Sequence, residues 1–273
     1  MRAKIYLFNL ILLLVVMGCD VVTTDIEDGG ENPVDPQNPD YEPPAVSIIS
    51  GVHHGDTLFQ DNVKLKWRGN NKKCEFSFLL DDNKWSNWSK DTIRQLNYLN
   101  EGDHQLAIKA RYSADDVQEE PLIIDFYVDA IQGPALWIRD KIYQATPHDT
   151  LNAEIVIEEV TETAISEISL SYDTDHIKIL DCQPAVNSEL LDDNDIIHLV
   201  QWDNSKGSLS AYLGVTMQNN AALVGSGAIF QITIETLHTG TALISFNEEC
   251  SFRSLNDQEV NIQEKVKGII EIE

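Results

Sequence analysis

Basic residues are scarce in this 273-residue chain: 19 Lys and Arg stand against 45 Asp and Glu, a formal charge of −26. That balance repels polyphosphate, so nucleic acid is not an expected partner, and neither is an anionic lipid surface reached through a basic patch. Glycine and proline are few, 14 and 9, while 42% of the residues are hydrophobic, so the chain is neither fibrous nor wholly disordered. Signatures of chemistry are also missing. There is no Gly-x-Ser-x-Gly elbow, phosphate loop, His-Glu-x-x-His or Cys-x-x-Cys. Asp192-Asp193-Asn194-Asp195 is the densest run of oxygens, but it has no later Glu at EF-hand spacing and reads as an acidic turn. His53-His54-Gly55-Asp56 supplies no third ligand and reads as a solvated turn. With 45 acids, paired carboxylates can be drawn anywhere, so none marks a glycosidase. No metal, cofactor or enzymatic activity is expected.

What is present begins with an address. Arg2 and Lys4 precede an apolar run from Ile5 to Met17, broken only by Asn9, and then Gly18-Cys19. This is the order of a secretory signal, and the run falls short of the ~20 residues that a membrane-spanning helix needs. Val16-Met17-Gly18-Cys19 resembles the bacterial lipobox, although Val and Met replace the commoner Leu and Ala or Ser. The resemblance implies a signal peptide over 1–18, lipidation of Cys19 and a place in the bacterial cell envelope, at the outer membrane or cell surface. A plain signal peptide or an uncleaved anchor is the alternative. Residues 19–44 hold Pro33, Pro36, Pro39, Pro43 and Pro44, many acids and no base, which predicts a disordered, self-repelling linker.

The remainder reads as strands. From 45 to 129, short alternating segments such as Val63-Lys64-Leu65-Lys66-Trp67, Gln105 to Ala110 and Ile123 to Val128 are separated by turn residues, as in an antiparallel β-sandwich. Trp67, the turn Asn100-Glu101-Gly102-Asp103-His104 and the closing strand at Val128 resemble an immunoglobulin/fibronectin III-like module, with His104 where many have Tyr. Trp85-Ser86-Asn87-Trp88-Ser89 is similar to the WSxWS box of cytokine receptors but precedes the Gly102 turn, so no function is carried over. Trp85 and Trp88 have faces broad enough to stack on sugar rings, or they pack under a loop. Cys74 reads as a small buried hydrophobe. An oxidising compartment would allow Cys182 and Cys250 to pair in a disulfide, which the sequence leaves open.

From 134 to 273 about nine strands follow, enough for a double-sheet jelly roll. Tyr172-Asp173 ahead of Ile177 and Leu180, the strand Gly227 to Ile234, the Gly turn into Gly240 to Phe246 and the terminal Gly268 to Ile272 resemble, in order and spacing, a cohesin domain or its carbohydrate-binding relatives. The expected fold class is therefore all-β: two sandwiches, immunoglobulin/fibronectin III-like and then cohesin-like.

The resemblance implies a partner bound on one sheet face made by the third, fifth, sixth and eighth strands. Alternation turns Ile168, Leu170, Tyr172, Leu209, Ala211, Leu213, Val215, Met217, Phe230, Ile232 and Ile234 inward. It turns Glu167, Ser169, Ser171, Ser210, Tyr212, Thr216, Ile229, Gln231 and Thr233 outward, as candidate partner-binding residues. Ile196 to Trp202 cannot be phased. The expected function is a non-catalytic envelope lipoprotein that binds a dockerin-like or other exported protein. A glycan-binding surface lipoprotein using Trp85, Trp88 or Tyr212 is the alternative.

Overall fold

The structure, a computed structural model, describes residues 32–81, 83–113, 115–186, 188–191, 195–216 and 222–273. Cys19, Asp192, Asp193, Asn194 and Met217 lie outside the described residues. The chain divides into residues 1–43 and a compact unit over 44–273. In the first, Asn32, Asp35 and Asn38 each precede a proline and each accept the amide three residues on. These are turns with proline at the second position, so this part of the linker is turned.

The compact unit is made of strands. Its first sandwich contains β1 (Val46–Ser50), β2 (Thr57–Leu58), β3 (Val63–Gly69), β4 (Glu75–Leu80), β5 (Ile93–Leu96), β6 (Gly102–Ser113), β7 (Asp116–Val117) and β8 (Leu122–Val128). One sheet runs β1-β3-β5 and the other β2-β8-β6-β4, with β7 on β6. Leu65, Trp67, Phe76, Leu106, Ile108, Ile124 and Phe126 fill the space between them. Trp67 lies edge-on to Phe76 at 6.2 Å between centroids. Cys74 is buried in this core as a free thiol.

The second sandwich contains β9 (Ala135–Ile138), β10 (Ile142–Ala145), β11 (Thr150–Thr163), β12 (Ile165–Tyr172), β13 (Ile177–Pro184), β14 (Ile196–Asp203), β15 (Ser208–Val215), β16 (Leu223–Thr236), β17 (Gly240–Phe246), β18 (Ser251–Arg253), β19 (Glu259–Val260), β20 (Glu264–Val266) and β21 (Gly268–Ile272). One sheet runs β10-β21-β17-β12-β15-β14, the other β13-β16-β11-β9-β20. Alternation works as expected along β12 and β15, where Ile168, Leu170, Tyr172, Leu209, Ala211 and Leu213 are buried, and at Phe230, Ile232 and Ile234 on β16.

Two expectations need correction. Ile229 is not outward-facing and exposed: its residue exposure is 0%. Phe230 pairs with Ile155 while Ala228 pairs with Val156, so the strand bulges and Ile229 has no partner opposite. Ala185 and Ser188 then hydrogen-bond the carbonyls of Ile229 and Ala228, covering the bulge. Gln231 and Thr233 lie on β16, in the sheet opposite β12 and β15, so they cannot share a face with Ser169 or Tyr212. The pairing that the sequence left open is not made, for Cys182 and Cys250 are buried free thiols. Cys182 sits on β13, paired with Ile232 of β16, whereas the Cys250 thiol bonds the backbone of Ser169 on β12 in the other sheet. Burial pushes both thiols up, Cys182 to about 12, so neither is a ready thiolate.

The two sandwiches are joined within the unit by a buried cation. Lys141, 4% exposed at its side chain, donates through Nζ to the Leu99 carbonyl at 2.9 Å and reaches Glu101 at 3.4 Å and Asp61 at 3.6 Å. Glu101 in turn accepts from the amides of Ala130 and Ile131 at the crossing between sandwiches. Asn100 donates to Asp140 at 2.7 Å.

Candidate functional site

The sheet β17-β12-β15-β14 presents one face away from the core, and strand register sets what that face shows. Ile197 of β14, Gly214 of β15 and Ile165 of β12 form one row across it. Leu199, Tyr212 and Glu167 form the next, and Gln201, Ser210 and Ser169 the third. Ile197 and Leu199 are 69% and 66% exposed, with Ile165 and Tyr212 also exposed beside them. The middle residue of the first row is glycine, so a shallow dip lies between Ile165 and Ile197. Tyr212 donates to Glu167 at 2.9 Å, which fixes its ring on the face and holds its hydroxyl above the usual tyrosine pKa.

Strand β14 closes this sheet as an edge, in the sequence Ile196-Ile197-His198-Leu199-Val200-Gln201-Trp202-Asp203. Edges are ordinarily guarded by lysine, proline or a bulge, and this strand has no lysine or proline. The sequence could not phase it because its inner residues Ile196, Val200 and Trp202 are only partly buried at the sandwich margin. Both faces therefore carry apolar side chains, and the alternation is lost.

Of the residues expected on this face, Ser171, Ser210 and Tyr212 are there, and Ser169 is partly covered, its hydroxyl taken by the Asn247 side chain at 2.9 Å. Thr216 falls just past the end of β15, and its Oγ1 is buried. Ile165, Ile197 and Leu199 were missed. The signal for them was a surplus of apolar residues on a strand with only one core to serve.

Trp85 and Trp88 flank the first sandwich's β4, where Phe76 and Ser89 exchange backbone hydrogen bonds at 2.7 and 3.0 Å. Lys109 lies 4.4 Å over the Trp85 ring and Arg111 4.4 Å over that of Trp88. Alternation on β6 places both cations on one side of the strand. One face of each indole is thus occupied from within.

A cleft of about 660 Å³ lies on the first sandwich beside His54, Asp56, Asp81, Asp103, His104 and Asp125. Among the described residues, no group of three or more His, Cys, Asp or Glu side chains is placed to hold a metal ion. Three of the cleft's carboxylates are engaged locally: Asp56 accepts the His53 amide, Asp81 the Gln105 amide, and Asp125 the Gln105 side chain. His104 stacks on Phe126 at 5.3 Å, with Nδ1 2.9 Å from Asp81 and Nε2 2.9 Å from the Asn100 carbonyl. It makes the upstream backbone contact that a tyrosine would make at such a corner. Burial pulls its pKa down, but Asp81 and the Asn100 carbonyl outweigh burial and leave it raised. Protonation thus favours the folded state. The contribution is complete below the unfolded value of 6.5 and is lost as pH rises through the folded value. Thermal melts of residues 44–273 between pH 6 and 8.5 should show the unit losing stability as pH rises, and His104→Gln should flatten that slope.

No family model matches the chain, and no curated protein matches it in sequence. Solved structures do match. Cohesin domains are among them. A type II cohesin domain from the cellulosome of Acetivibrio cellulolyticus matches at TM-score 0.44 and 16% identity, over 50% of this chain and 94% of that one. A non-cellulosomal cohesin from the archaeon Archaeoglobus fulgidus matches at 0.41 and 11%, over 51% of this chain and 90% of that one. A cohesin–dockerin complex from Clostridium thermocellum matches at 0.43 and 16%, over 51% and 98%.

Proposed function

We propose that this chain is a non-catalytic envelope protein, tethered by lipid at Cys19, whose second sandwich captures an exported protein on the β17-β12-β15-β14 face. The observation that carries this reading is the exposed cluster Ile165, Ile197, Leu199 and Tyr212, in register on three neighbouring strands and open along the β14 edge. Apolar side chains that share one face and make no core contact are the usual centre of a protein interface, with polar groups such as Glu167, Gln201 and Ser210 as its rim. The cohesin resemblance of the sequence, which implies a partner on a face of the third, fifth, sixth and eighth strands, supports this reading. In this reading the first sandwich, whose sequence resembles an immunoglobulin/fibronectin III-like module, is a spacer between the linker and the binding domain.

The test is capture of the organism's exported proteins on immobilised residues 44–273, run beside a glycan array. Leu199→Glu should weaken capture by roughly thirtyfold or more, as for a central interface residue. Leu180→Glu, on the opposite sheet, should leave it unchanged. Retention of glycans alone, or equal capture by both variants, would end the proposal.

A further inference from the structure

Eight of the chain's 19 basic residues fall between positions 64 and 94, among four acids, so a segment of local charge +4 sits in a chain of −26. The fold concentrates three of them. On β3 the residues turned to the core are Leu65 and Trp67, which leaves Lys64, Lys66 and Arg68 all exposed on the outer face. Alternate residues of a strand are about 6.8 Å apart, so the cations form a straight row. Their cross-strand neighbours bring no negative charge: Ser47 stands opposite Arg68, Ser50 and Ile93 flank Lys66, and Gln95 faces Lys64. Apolar side chains interleave with the row. Ile93 and the bulged Ile49 are exposed beside it, and Phe59, 69% exposed, stands at the Lys64 end over a shallow groove of about 480 Å³.

We infer that this face, in the sandwich that follows the linker, is a docking surface for an anionic lipid bilayer. Long cationic side chains reach phosphate while protruding apolar ones enter the boundary between headgroups and acyl chains. Phe59, Ile93 and Ile49 decide for lipid over an acidic polysaccharide, since isoleucine offers nothing to sugar hydroxyls and would strip their water. The chain's overall negative charge does not prevent this, because acids on distant faces are screened beyond ~8 Å at physiological salt. The inference is independent of partner capture on the second sandwich, and of Cys19.

Residues 44–273, which contain both cores and no acylation site, are cosedimented with vesicles of phosphatidylglycerol and phosphatidylcholine in equal parts, and with phosphatidylcholine alone. Binding is expected to the first only and to weaken steeply as salt rises. The triple variant Lys64→Gln, Lys66→Gln and Arg68→Gln should lose roughly a hundredfold in affinity. Lys178→Gln, Lys206→Gln and Lys267→Gln, which changes net charge equally, should lose nothing. Equal loss in both triple variants, binding to phosphatidylcholine alone, or retention on polygalacturonate without vesicle binding would each overturn the inference. Partner capture by the β3 variant serves as the separate readout and should be unchanged.

Discussion

Lys141→Met should destabilise the 44–273 unit by roughly 3–5 kcal/mol, the cost of removing one member of a buried ion pair. The ammonium is enclosed, and its removal leaves Glu101, itself 8% exposed at the side chain, as an uncompensated carboxylate. Two backbone amides, of Ala130 and Ile131, still hold Glu101, which places the loss toward the lower end of that range. Because Lys141 belongs to the second sandwich while Leu99, Glu101 and Asp61 belong to the first, the change also uncouples them. Denaturant unfolding should pass from one transition to two. Adding Glu101→Gln should recover part of the loss, which a double-mutant cycle reads directly. A single unchanged transition would mean that this cluster does not hold the sandwiches together.

Phe230→Ala should cost about 3–5 kcal/mol, the range for truncating a fully buried aromatic residue. Phe230 is 0% exposed, on β16 between β11 and β13, and pairs with Ile155 on one side and Pro184 on the other. Urea denaturation should show the single transition of the 44–273 unit moved to lower denaturant, and in the Lys141→Met background only the second sandwich's transition should move. A loss under 1 kcal/mol would mean that the core at Phe230 is not closely packed.

Much of the fold was legible because burial in a sandwich repeats every second residue. Ile168, Leu170 and Tyr172, or Leu209, Ala211 and Leu213, are read inward from spacing alone. The same rule failed at Ile229, where one extra residue in β16 breaks the count, and on β14, where an edge position gives apolar side chains to both faces. It also grouped Gln231 and Thr233 with Tyr212, since alternation says which way a side chain points and nothing about which sheet carries it. Trp85 and Trp88 were visible as a pair, but the cations over their rings come from β6, more than twenty residues away.

The sequence by itself determined that this is a strand-built chain without the motifs of common chemistries, and which residues along most strands seek the core, because those properties follow from composition and local period. The tertiary structure alone decided which strands lie side by side. From that came the apolar face at Leu199 and Tyr212, the cationic row on β3, the separation of Cys182 from Cys250 and the lysine enclosed between sandwiches. Each depends on groups distant in sequence meeting through backbone hydrogen bonding, whose register is set by the packing of whole sheets.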